Sequence, residues 1–166
     1  MTFKRTLKHL VCTERQVHAM FPPAQLEDIA QLIKFSESQH SGEIRFAVES
    51  ALDIGPLMNG QTPRERAIEV FSQLQVWDTE LNNGVLVYIL LADHAIEIVA
   101  DRGIHAKVPG EYWAGVCIDI QKHFANGEFV QGAKNSIQAV CKVLSEHFPH
   151  RGGDKNELPD YPIILG

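Results

Sequence analysis

The chain has 166 residues, 45% of them hydrophobic and 22% charged, enough for one domain with a core that needs no metal or disulfide staple. Such a composition excludes disordered and fibrous classes. A net charge of −6 leaves no overall basic surface for nucleic acid.

Leu7, Leu10 and Val11, followed by Val17, Met20 and Phe21, predict one amphipathic N-terminal helix over residues 1–22, stopped by Pro22-Pro23. Residues 1–18 carry Lys4, Arg5, Lys8 and Arg15 against Glu14, which leaves about −9 for the rest. Two readings follow: a solvated basic face, or a docking arm for an acidic protein partner or a membrane surface. The stretch lacks the apolar run of a signal peptide, and no segment reaches the roughly 20 apolar residues of a membrane-spanning helix. Cys12, Cys117 and Cys141 contain no CxxC spacing and read as buried thiols of a reducing compartment, Cys12 the most exposed of them. The expected location is cytoplasmic, without membrane insertion.

Leu26, Ile29, Ala30 and Ile33 form a helical stripe, and Ser36 to Gly42 a polar break. Glu43 to Glu49 alternates polar and apolar residues and predicts a first strand. Residues 51–61 read as a loop. Thr62, Pro63 and Glu65 then open a helix with a capping box, and Ala67, Val70, Phe71 and Leu74 face its core side. After the Asn82-Asn83-Gly84 turn, the apolar run Val85 to Leu91 predicts a strand buried on both faces. A turn at Asp93-His94 makes it a hairpin with Ile96 to Ala100. Two helices follow, one opened by Pro109 and one ending near Phe148. The tail, 151–166, lies extended over the core or forms an edge strand. The fold class is α/β, a small mixed sheet with a parallel crossover and an antiparallel hairpin, sandwiched between helices on both faces.

Centred on Asp93-His94, the hairpin pairs residues whose numbers sum to about 187, with Gly84 near Gly103 and Leu86 near Asp101. A parallel first strand starts at the same end. One rim then gathers Glu43, Asp78, Glu80, Asn82, Asn83 and Asp101. Such oxygens suit a hard divalent cation, which relieves the repulsion between carboxylates; a solvated acidic rim is the plainer reading. Other chemistries find no pattern. The run from Gly127 to Lys134 lacks the Lys-Ser/Thr ending of a phosphate loop, and no strand precedes it. No zinc spacing and no nucleophile elbow occurs. Tyr112 and Trp113 read as packing.

Taken together, Gly42-Glu43-Ile44-Arg45, Asn82-Asn83-Gly84-Val85-Leu86-Val87-Tyr88, Glu97 to Ile104 with its Asp101-Arg102-Gly103-Ile104 element, Trp113, and Phe124 to Phe129 followed by Gly132 resemble the TPM domain family. The resemblance spans about residues 24–148 and divides the chain into the N-terminal helix 1–22, a TPM-like domain 23–150 and the tail 151–166. It implies a central sheet with helices on both faces. Some members are acid phosphatases of the thylakoid lumen, others bind calcium, and some work at membranes. Many carry a signal peptide and a C-terminal membrane or Gly-rich tail, neither of which is seen in this sequence. Carried over, Asp101 and Asn82-Asn83 matter most, then Asp78. The expected function is binding of a divalent cation, calcium preferred, at Asp78, Asn82, Asn83, Asp101 and Glu43. The alternatives are a metal-assisted phosphatase with Asp101 and Arg102 (or Lys107) as working groups, and a protein interaction module without metal.

Overall fold

A computed structural model describes residues 3–166; the first two residues of the expected 1–22 helix lie outside it. The order is α1 (Phe3–Val11), α2 (Glu14–Met20), α3 (Pro23–Glu37), β1 (Glu43–Glu49), α4 (Ile54–Met58), α5 (Pro63–Gln73), β2 (Gly84–Leu90), β3 (Ala95–Ala100), α6 (Arg102–His105), α7 (Gly110–Ala125), α8 (Phe129–His147) and β4 (Ile163–Leu165). The strands form one sheet in the order β3-β2-β1-β4, with β2 antiparallel to β3, and β1 parallel to both β2 and β4.

Every residue of β1 and β2 is buried, because helices cover both faces. On one face Ile44, Phe46, Val48, Val85, Val87 and Ile89 pack against side chains of α2, α3, α7 and α8. On the other, Ala47, Leu86, Tyr88 and Leu90 meet Leu57 of α4, Ala67 and Val70 of α5, and Leu158 of the tail. The period-2 alternation of β1 therefore does not mark a solvent face. Its polar residues are buried and individually paired. Glu43 accepts the Glu157 and Leu158 N–H groups at 3.1 Å each, Arg45 donates to the carbonyls of Pro159 and Tyr161, and Glu49 accepts from Arg66 and Tyr88.

Four expectations change. The N-terminal helix is two helices: Thr13, in extended conformation at the start of α2, breaks it and forms a capping box with Gln16. Moreover, Leu7, Leu10 and Val11 face outward rather than into the core. The loop 51–61 contains the short α4. In the hairpin, partners sum to 185 rather than 187, as in Leu86↔Val99 and Leu90↔Ala95. There Leu91–Asp93 wind into a 3-10 turn that His94 closes in the left-handed region at φ 50°, moving the centre of the loop back by one residue. The shift is even, so each side chain keeps its face. The tail forms the edge strand β4, with Ala47↔Ile163 and Glu49↔Leu165 in register.

Candidate functional site

The corrected register still brings the loop before β2 and the loop after β3 to one end of the sheet. The Asp101 N–H donates to the Gly84 carbonyl and the Gly103 N–H to the Asn82 carbonyl, both at 2.9 Å. Parallel pairing sets Glu43 beside Gly84, and the Glu43 N–H donates to the Asn83 carbonyl at 3.3 Å. Gly103 is required by this closure: a Cβ there would stand 2.5 Å from the Asn82 carbonyl oxygen and 2.6 Å from that of Leu81. Asn82 takes a left-handed conformation at φ 52°, which Asn tolerates better than most residues.

The side chains of this rim differ in what they already do. Asn83 is buried; its amide Nδ2 donates to the Ser41 carbonyl at 2.8 Å and its N–H to the Thr79 hydroxyl at 3.0 Å, while its Oδ1 has no donor among the described residues. Asp101 caps α6, its Oδ1 accepting the Arg102 N–H at 2.7 Å, while its buried Oδ2 also has no donor among the described residues. Asn82 Oδ1 accepts from Arg102 Nε at 2.8 Å, which holds a guanidinium at the rim. Glu43 is occupied by the two tail amides; burial, opposed by those amides, raises its carboxyl above the ordinary range. Asp78 and Glu80 lie exposed on the loop between α5 and β2, and the Glu80 N–H donates to the Glu157 carboxylate at 3.0 Å. Lys107 is directed elsewhere, donating to the His147 carbonyl at 3.3 Å and lying 4.8 Å over the Phe148 ring.

A cleft of about 230 Å³ adjoins the rim, lined by Glu37, His40, Ser41, Glu43, His150 and Lys155 among others. Burial and then the nearby Glu43 push the Glu37 carboxyl up to about 9, although it accepts the Ile44 N–H at 3.1 Å. Burial pushes His40 down to about 4. Sequence reasoning assigned none of Glu37, His40, the Ser41 carbonyl or the tail amides to this end of the sheet. One signal was available for the tail: a glutamate opening a buried strand requires donors, and Pro159 and Pro162 keep a nearby segment extended.

Among the described residues no three His, Cys, Asp or Glu side chains stand together as a ready cation cage. Two buried oxygens of the rim are left without a donor among the described residues, Asn83 Oδ1 and Asp101 Oδ2. Each is an acceptor whose desolvation costs about 1–3 kcal/mol when unmatched, and a cation satisfies oxygen as a donor does.

The fold and this rim define a layered α/β domain with a mixed four-stranded sheet and an oxygen-lined amino end. The TPM domain family matches residues 16–143, and the chain belongs to it. The NMR structure of the BA42 protein from the psychrophilic bacterium Bizionia argentinensis is similar, with 31% identity and a TM-score of 0.73 over 86% of this chain and 93% of that one. The N-terminal domain of a P. gingivalis protein, also solved by NMR, shares the fold at 22% identity and a TM-score of 0.61 over 78% of this chain and 81% of that one. No curated protein matches the chain.

Proposed function

We propose that the rim binds a divalent cation, calcium in preference to magnesium, through Asp101 and Asn83. The observation that carries this reading is that two rim side-chain oxygens, Asn83 Oδ1 and Asp101 Oδ2, are each buried without a donor among the described residues. Asp101 supplies the negative charge and Asn83 a neutral oxygen. Asn82, already joined to Arg102, the exposed Asp78, and Glu43, tied to the tail, are the further candidate ligands of this reading. A set of carboxylate and amide oxygens on irregular backbone favours calcium, which accepts varied geometry, over magnesium, which demands an octahedron.

Arg102 favours a second reading, hydrolysis of phosphate monoesters. Its guanidinium, steadied by Asn82, stands where it can take phosphoryl oxygens in a forked pair of hydrogen bonds. A bound cation would polarise the phosphoryl group and lower the pKa of a water. Asp101 would hold that cation, and Arg102 would orient the phosphoryl group.

The test is thermal unfolding with calcium or magnesium. Calcium at about a hundred times its Kd is expected to raise the Tm by roughly 5–10 °C. Magnesium should raise it less, and Asp101→Ala and Asn83→Ala should remove the shift. An unchanged Tm in calcium overturns the reading. Turnover of a phosphate monoester that Arg102→Ala abolishes, while the calcium shift survives, supports the second reading.

A further inference from the structure

A helix on a protein surface ordinarily turns its apolar stripe inward, and α1 does the reverse. Phe3, Leu7, Leu10 and Val11, spaced to share one helical face, are 85%, 51%, 58% and 59% exposed. The opposite face is fastened to the turn between β2 and β3. Arg5 grips the Asp93 carboxylate with Nε at 3.1 Å and Nη2 at 2.8 Å, and Nη2 also donates to the Gln61 carbonyl at 2.9 Å. Buried His9 accepts the Leu52 N–H on Nδ1 at 3.0 Å, so its ring proton sits on Nε2, which stands 3.1 Å from Asp93. Burial opposes ionisation of Asp93, but the Arg5 and His9 hydrogen bonds and the Arg5 charge together hold its carboxyl below the ordinary range. Thus the polar face is locked in and the apolar face is presented outward. The contacts at Leu52 and Gln61 bracket α4, which exposes Ile54 and Met58 as well.

Charge indicates what this pole meets. Residues 3–11 contain Lys4, Arg5 and Lys8 and no acidic residue, whereas the rest of the chain carries about −9. Lys4 and Lys8 are exposed and follow the apolar stripe along one flank. We propose that α1 is an in-plane anchor for an anionic lipid surface, with its stripe in the headgroup boundary and the two lysines at the phosphates. It lies on the bilayer and does not span it; among the described residues no helix is long and apolar enough to cross one. The acidic remainder is repelled by the same surface, which fixes the orientation of the molecule. A second copy fits the face poorly. A nine-residue helix is about 13–14 Å long and ~10 Å wide, far short of the ~800 Å² per partner of a stable dimer. Self-pairing would also confront lysine with lysine.

The experiment is co-sedimentation of the full chain with vesicles of phosphatidylcholine, alone or with about 30% phosphatidylserine. Binding to the anionic vesicles only, weakened by high salt, is expected. The double variant Lys4→Gln/Lys8→Gln should lower the partition coefficient on the order of tenfold or more. Leu7→Gln/Leu10→Gln should abolish binding with an unchanged Tm, since both side chains are exposed in the folded protein. The proposal fails if anionic vesicles do not sediment the protein, if neutral vesicles sediment it equally, or if the leucine variant binds as before. A dimer that the leucine variant dissolves would also overturn it, assigning the face to a second copy.

Discussion

Carboxylates near the two ends of β1 are treated in opposite ways. At its carboxyl end, Glu49 accepts from Arg66 Nε at 2.9 Å and Nη2 at 2.8 Å and from the Tyr88 hydroxyl. Its charge, hydrogen bonds and burial answer one another. Near the amino end, Asp101 has one oxygen capping a short helix and the other buried without a donor, beside a loop in which Asn83 repeats the same deficit. The contrast separates polar groups that hold the fold together from polar groups the fold leaves unsatisfied, and the second kind points to a ligand.

The largest effect should come from breaking the satisfied end. Arg66→Ala leaves Glu49 buried without its cation and is expected to cost about 3 kcal/mol in chemical denaturation. A loss near zero would mean that Glu49 is hydrated, and the contrast would weaken. An intermediate effect is expected beside the rim, at Glu37. Its carboxyl is pushed up to about 9 from an ordinary 4.5, so the native state holds a proton that the unfolded chain has released. Stability therefore falls as pH rises through that window. Glu37→Gln should raise the Tm on the order of 5 °C at about pH 9 and leave it nearly unchanged near pH 5. His40, pushed down to about 4 from 6.5, acts in the other direction: its contribution is lost as pH falls through that interval, so the alkaline side isolates Glu37. An equal gain at both pH values would remove protonation as the cause. The smallest effect belongs to Asp101→Asn without added cation. The amide oxygen can keep the cap to Arg102, so stability should hold or rise by up to about 1 kcal/mol. A loss comparable to that of Arg66→Ala would erase the difference between the two ends.

Much of the fold was legible in the residues. The unbroken apolar run Val85 to Leu91 marked a central strand, and Thr62-Pro63-Arg64-Glu65 marked the start of α5; Thr62 accepts the Glu65 N–H at 3.2 Å. Legibility failed where a contact is made by backbone or by distant charge. Alternation in β1 marks a strand without naming what its polar residues meet; the partners that bury them, Arg66 and the amides and carbonyls of residues 157–161, lie far along the chain. In α1 the stripe was visible, but hydrophobic periodicity does not give the direction a stripe faces; the Arg5–Asp93 pair, 88 positions apart, decides it. At the rim, Asn82, Asn83 and Asp101 could be brought together from a hairpin argument because the error in register was even. That Glu43 needs donors follows from its place on a buried strand, but that these are the Glu157 and Leu158 amides does not, since backbone amides leave no side-chain pattern.

The direction of the strands has a spatial consequence. β1 and β2 both run from the oxygen-lined rim toward the turn at Asp93, where α1 is moored, so a single seven-residue strand separates the two poles, about 20–25 Å. With α1 resting on a bilayer, Asp101 and Arg102 would stand that far above the headgroups, beyond two Debye lengths of physiological saline. Ions and substrates would then reach the rim from bulk water, undisturbed by the field of the membrane that holds the molecule.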